Sequence, residues 1–178
     1  MNPKAPLARC DLCPLKDRPV VRAESRDQAR LVIVGEAPGD QEVIEGRPFV
    51  GRSGVRLNQA LAAADLHRSD VYVTNAVLCR PAGTPPTPPD DAVSACHDRL
   101  IVEVSRLGPD KVLAMGKVAA DSLTGDRKAL SQLRQRPAPS PFLPREAEVR
   151  VTYHPSALNR DPRWPGLFDE DVRWLGRR

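Results

Sequence analysis

The sequence predicts an α/β fold, a three-layer α/β/α sandwich in which helices cover both faces of a central, mostly parallel sheet. Short, continuous apolar runs bounded by turn residues read as strands buried on both faces. These runs alternate with helical periodicities about every 40 residues or less, the order from which βαβ units are built. Three polar residues, Glu36, Asn75 and His154, fall at or just past the ends of such runs. In sheets of this kind ligands bind in the crevice at the carboxyl ends of the strands.

The first strand is Arg30 to Gly35, with Leu31-Val32-Ile33-Val34 ending in a glycine turn. Arg56 to Ala64 follows with apolar residues at helical spacing (Val55, Leu57, Leu61, Ala62). Asp70 to Val77 is the second strand. Ala92 to Leu107 is a helix with Val93, Cys96, Leu100, Val104 and Leu107 near one face. Lys111 to Met115 is the third strand, closed by Gly116, and Lys117 to Leu123 the helix after it. Val149 to Tyr153 is the fourth strand and runs into His154-Pro155. Prolines cluster at Pro85 to Pro89 and from Pro137 to Pro144; fixed φ and a missing donor make these stiff loops. No internal repeat is present, and 178 residues suit one domain spanning residues 1–178.

Hydrophobic residues make up 40% and charged residues 28%, which reads as a soluble globular chain. No stretch approaches the roughly 18 apolar residues of a membrane span. The start, Met1-Asn2-Pro3-Lys4, has no apolar signal core, so the expected location is the cytoplasm, away from membranes. The formal charge is +4, with basic residues dense in Arg127 to Arg136 and from Arg145 to Arg178. That balance favours polyanionic partners, although such runs also serve simply as solvated surface.

Four cysteines stand at Cys10, Cys13, Cys79 and Cys96, the first two as C-x-x-C. A cytosolic chain rarely keeps structural disulfides, so metal or redox use is expected. Four thiolates suit either a 4Fe–4S cluster or a structural zinc. Buried free thiols in the core are the plainer alternative. A metal site here would staple the N-terminal segment to the loop after the second strand.

Gly35-Glu36-Ala37-Pro38-Gly39 directly follows the first strand. Its glycines permit close backbone approach to a ligand, and the proline stiffens the turn. Glu36 there suits positioning or deprotonating water, or else capping a helix. In Gly46-Arg47-Pro48-Phe49-Val50-Gly51, Phe49 suits either stacking on a flat base or ordinary core packing.

These segments, with Val73-Thr74-Asn75-Ala76-Val77-Leu78-Cys79-Arg80-Pro81, His154-Pro155-Ser156-Ala157 and the four cysteines, resemble the family 4 uracil-DNA glycosylases in order and spacing over roughly residues 8 to 160. The resemblance implies a central four-stranded, mostly parallel sheet and a structural 4Fe–4S cluster on Cys10, Cys13, Cys79 and Cys96. It implies a monofunctional DNA repair enzyme that flips uracil out of DNA and hydrolyses its N-glycosidic bond; the sequence does not give the oligomeric state, and monomeric action is the default expectation.

By the same resemblance Glu36 handles the water, Phe49 stacks on the flipped base, Asn75 bonds the uracil edge and His154 contacts a uracil carbonyl. Gly35, Ala37, Pro38 and Gly39 shape the base pocket. Glu42 is expected to crowd the C5 edge against the methyl of thymine. Ser156, Ala157 and Leu158 are expected to form a wedge that fills the gap in the duplex, with Arg160 on a phosphate.

Leu78, Asn159 and the Pro-rich stretch at Thr84 to Pro89 depart from the family pattern, and these departures are expected to alter DNA affinity or damage preference. Only a short loop follows the second strand, so covalent trapping on DNA is not expected. His67 and His97 read as surface residues. Two other functions remain open: a zinc-stapled nucleic-acid-binding module without catalysis, and a glycosylase acting mainly on deaminated purines.

Overall fold

The computed structural model describes residues 4–24, 29–83, 86–134, 137–145 and 147–177. Expectations that touch Met1 to Pro3, Thr84, Pro85, Gln135, Arg136 and Arg178 lie outside the described residues. Four strands, β1 (Leu31–Gly35), β2 (Val71–Asn75), β3 (Lys111–Met115) and β5 (Glu148–Thr152), pair in parallel in the order β2-β1-β3-β5. A two-residue strand, β4 (Ala138–Pro139), adds an antiparallel edge beside β5. The sheet therefore has the expected four parallel strands and one short strand more.

Alternation along each strand separates two cores. Val32, Val34, Val112, Ala114, Val149 and Val151 face α3 (Asp90–Arg106) and α4 (Lys117–Thr124), packing on Leu100, Val104, Ala119 and Leu123. Ile33, Val73, Leu113 and Met115 face the other way, onto Leu57 and Leu61 of α2 (Arg52–Ala62) and Phe168, Val172 and Leu175 of α6 (Trp164–Gly176). Two apolar faces, each covered by helices, give the three layers.

The helix expected from Arg56 begins a turn earlier, at Arg52, with Gly51 as its N-cap. Gly54 in that added turn is required, because a β-carbon there would overlap the carbonyl of Phe49. Three helices were not anticipated: α1 (Asp40–Glu45), α5 (Leu130–Leu133) and α6. The spacing of Leu167, Phe168, Val172 and Leu175 is helical, but four acidic or basic residues interrupt it between Asp169 and Arg173, within a stretch read as a basic tail. No helix among the described residues is long and apolar enough to cross a membrane.

Candidate active site

The carboxyl ends of β1, β2 and β3, with the turn after β5, surround an open cleft of about 580 Å³. Glu36, Asn75 and His154 all line it, as do Ala37, Pro38 and Gly39. So three residues far apart in the chain meet because parallel strands place their carboxyl ends on one edge of the sheet.

Glu36 is half-buried, and its Oε1 accepts from the backbone N–H of Val118 at 3.2 Å, in the first turn of α4. A carboxylate is stabilised there by the unpaired amides and positive end of the helix. The capping alternative therefore holds, but for a helix 82 residues onward and not for a local turn. Gly116, at φ +91°, makes this approach possible: any β-carbon would overlap the Glu36 carboxylate.

Asn75 closes β2 in register with Gly35 of β1 and is 2% exposed. Its Oδ1 is buried without a hydrogen-bond partner among the described residues, an arrangement that costs free energy unless a ligand donates to it. The ring of Phe49 lies against Gly35 and its centroid is 6.0 Å from that of His154, the planes inclined at 40°. Phe49 is buried with φ +53°, a strained value for an aromatic residue.

The strained loop is held from both sides. Glu42 accepts from the N–H groups of Gly39 (3.1 Å), Val50 (3.1 Å) and Gly51 (3.0 Å), and Arg68 donates to the carbonyl of Pro48 at 2.8 Å. Glu42 thus reaches the cleft wall with both oxygens committed to backbone. It acts as a clamp on the Phe49 loop, and its side chain still lines the cleft.

His154 follows β5, and its Nδ1 receives the backbone N–H of Ser156 at 3.2 Å, with the Ser156 hydroxyl at 2.8 Å. A backbone N–H can only donate, so Nδ1 is an acceptor and the neutral ring carries its proton on Nε2. Burial pushes the imidazole below its ordinary value, against the opposing pull of the Glu36 and Glu42 carboxylates. At neutral pH the ring is therefore a neutral Nε2–H donor.

The turn Pro155–Arg160 is a short 3-10 helix. Leu158 is 4% exposed and packs with Phe49, Leu57 and Phe168, so it is anchored in the core and does not project as a wedge. Ser156, Asn159 and Arg160 are the exposed residues of this turn, and Ser156 and Arg160 line the cleft. Ala157 borders an adjoining cavity of about 360 Å³, which also meets Glu36, Lys117 and Arg160. Pro86 and Thr87 form part of the main cleft wall, so the described end of the Pro-rich loop belongs to the site.

Cys10, Cys13, Cys79 and Cys96 line one cavity with apolar neighbours that include Ala8, Leu15 and Leu78. The segment before β1 is fixed there by Arg9 N–H donating to Ala95 O and by a bridge between Val20 and Cys79. Burial, reinforced by Cys96 and Cys13, pushes the Cys79 thiol up to about 11, and burial likewise raises Cys13. Among the described residues no three His, Cys, Asp or Glu side chains converge on a point that would hold a single metal ion. Leu78 is buried in this apolar wall, which removes it from any DNA surface.

Residues not anticipated from the sequence include Lys117, on the cleft wall and ion-paired with Asp121 at 2.6 Å, and Ser53 in the first turn of α2. Arg99 is the most buried of them, at 3% exposure. Its signal was present, as a charged residue on the apolar stripe of α3 between Cys96 and Leu100. His97 also departs from its surface reading: its Nε2 meets the carbonyl of Ser122 at 3.0 Å and its ring packs edge-on against Phe142.

Residues 23–176 match the model of the Uracil DNA glycosylase superfamily. A type-4 uracil-DNA glycosylase of Pyrobaculum aerophilum is 36% identical, the match covering 93% of this chain and 87% of that protein. One from Thermotoga maritima is 38% identical over 86% of this chain and 79% of its own. One from Archaeoglobus fulgidus is 31% identical over 94% and 85%. The chain belongs to the Uracil DNA glycosylase superfamily and, within it, to the type-4 branch.

Proposed function

We propose that this protein is a DNA repair glycosylase that takes uracil flipped out of DNA into the cleft and hydrolyses its N-glycosidic bond, leaving an abasic site. The observation that carries the reading is the buried, unpartnered Oδ1 of Asn75 beside the ring of Phe49. Uracil stacked on Phe49 offers its ring N–H to that oxygen and a carbonyl to the Asn75 amide. Cytosine presents the opposite pattern and leaves buried polar groups unpaired, the strong form of discrimination.

A base must leave the stack before its anomeric carbon is reachable. As the bond lengthens, negative charge collects on uracil and cationic character on the sugar. The Nε2–H of His154 stabilises the departing base at a carbonyl, in the manner of an oxyanion site. Glu36, held by α4, orients the water and faces the cationic sugar. Ser156, Ala157 and Arg160 meet the DNA, Arg160 at a phosphate. The reading is of one domain acting as a monomer in the cytoplasm, with every group named supplied by one chain.

The residues present fit a cluster: four thiols, the usual complement of a 4Fe–4S group, line one cavity with apolar neighbours, and Cys13 Sγ accepts from Leu15 N–H at 3.4 Å. Cys10, Cys13, Cys79 and Cys96 would hold a 4Fe–4S cluster, which supplies a structural cross-link between the N-terminal segment, the end of β2 and α3.

The test is cleavage of matched oligonucleotides carrying uracil, thymine, hypoxanthine or xanthine. Alkali-labile product from uracil supports the reading. Product from the purines alone replaces it with a deaminated-purine glycosylase. Binding without product from any base leaves a non-catalytic module.

A further inference from the structure

We infer that Arg99 is a positioning residue for uracil recognition, setting the aim of Asn75 by holding its backbone; this rests on the reading of the cleft given above. β2 is the edge strand of the described sheet, so its outward carbonyls are met by isolated backbone donors and a side chain and not by a further named strand. Val73 O receives the N–H of Glu24 at 3.0 Å, and Leu78 O receives that of Val21 at 2.8 Å. Between these two backbone donors the edge is closed by a side chain. Arg99 Nη2 donates to Asn75 O at 2.8 Å and to Ala76 O at 2.7 Å.

The guanidinium is itself fixed. Nη1 donates to Glu103 Oε2 at 3.1 Å and reaches Thr74 Oγ1 at 3.4 Å. Glu103 balances the buried charge at Nη1, and the two N–H groups of Nη2 serve the two carbonyls, so the planar guanidinium joins the carboxylate and both carbonyls where a lysine offers a single point charge. Among the described residues the Asn75 Oδ1 has no hydrogen-bond partner, so none of their polar groups orients that oxygen directly. Its direction follows from where residue 75 sits and from the tight fit against Gly35. Arg99 also stands one helical turn beyond Cys96, so the same helix carries a cysteine ligand and the clamp on the recognition residue.

The experiment compares wild type, Arg99→Met and Arg99→Lys in the full iron-loaded protein. It reads the single-turnover rate constant on uracil DNA, the affinity for DNA containing a baseless abasic analogue, and the melting temperature. Small misplacement of a binding group costs up to about 100-fold. Arg99→Met is therefore expected to lower the rate constant roughly 10- to 100-fold with abasic-analogue affinity unchanged, and Arg99→Lys to recover part of the loss. A purely structural role would lower the melting temperature and the active fraction while the rate constant stayed at the wild-type value, and that result overturns the proposal. If Arg99→Met does not fold, Arg99→Lys decides by the same rate constant, a wild-type value again overturning it. Wild-type protein that releases no uracil removes the reading of the cleft, and this role with it. Wild-type release beside an unchanged Arg99 variant removes the Arg99 role alone.

Discussion

Gly35 and Asn75 are register partners at the ends of β1 and β2, and a β-carbon on the first would overlap the side-chain oxygen of the second. The same β-carbon would overlap the ring of Phe49. Gly35→Ala must therefore displace the two groups that define the base pocket. Overpacking of this kind costs about 1–3 kcal/mol of stability. We expect the variant to fold with a lowered melting temperature and to lose roughly 100-fold in uracil cleavage, as misplacement predicts. Near wild-type single-turnover kinetics would refute the close-packed pocket.

The protonation of His154 gives a pH prediction. Its native value lies below the usual histidine value near 6.5 because the ring is buried. The stability it contributes is present above pH 6.5 and is lost as pH falls through the lower native value. The neutral Nε2–H donor is likewise present throughout neutrality. The single-turnover rate should show no histidine limb between about pH 6.5 and 8, and His154→Ala should remove any limb at lower pH. A rate that rises as pH drops through 6.5 would indicate a catalytic imidazolium instead.

The cysteine site predicts a metal dependence. With Cys79 pushed up to about 11 by burial and by Cys96 and Cys13, its thiol stays protonated at neutral pH unless a cationic centre draws off the proton. Cys79→Ser and Cys96→Ser should therefore purify with less iron and sulfide, lose brown colour and melt at lower temperature. Equimolar zinc with no iron in aerobically and anaerobically prepared wild type would contradict the cluster assignment.

Asp171 provides a control remote from the chemistry. It is fully buried on α6 and accepts from Arg134 Nε at 2.6 Å and Arg150 Nε at 2.7 Å. Removing one partner of a buried ionic group strands the others, at about 3–5 kcal/mol. Asp171→Ala should show that loss in denaturant unfolding while the rate constant of the folded fraction stays unchanged. A loss below about 1 kcal/mol would mean the network behaves as a surface pair.

What the sequence made legible is what short-range pattern encodes. The Val-rich runs gave four strands to within about two residues, and the polar residues at their ends, Glu36, Asn75 and His154, do meet in one cleft. What it concealed depends on partners distant in the chain. Nothing near Glu36 announces Val118, and nothing near Arg99 announces the open edge of β2. Leu158 lies beside exposed residues in a polar turn, and its burial follows only from α2 and α6 closing over it. The clamp made by Glu42 was hidden because the three backbone N–H groups that bind it belong to turns with no side-chain signature.

The measurement that tests the central claim most directly is release of free uracil, quantified against abasic sites, from a duplex with one uracil under single-turnover conditions. Wild type is to be run beside Glu36→Ala, Asn75→Ala and His154→Ala. The account predicts uracil and abasic sites in equal amounts from wild type, with rates reduced at least about 100-fold in each variant, the scale of losing a positioned donor or base. Uracil release that survives all three substitutions would contradict the assignment of chemistry to this cleft.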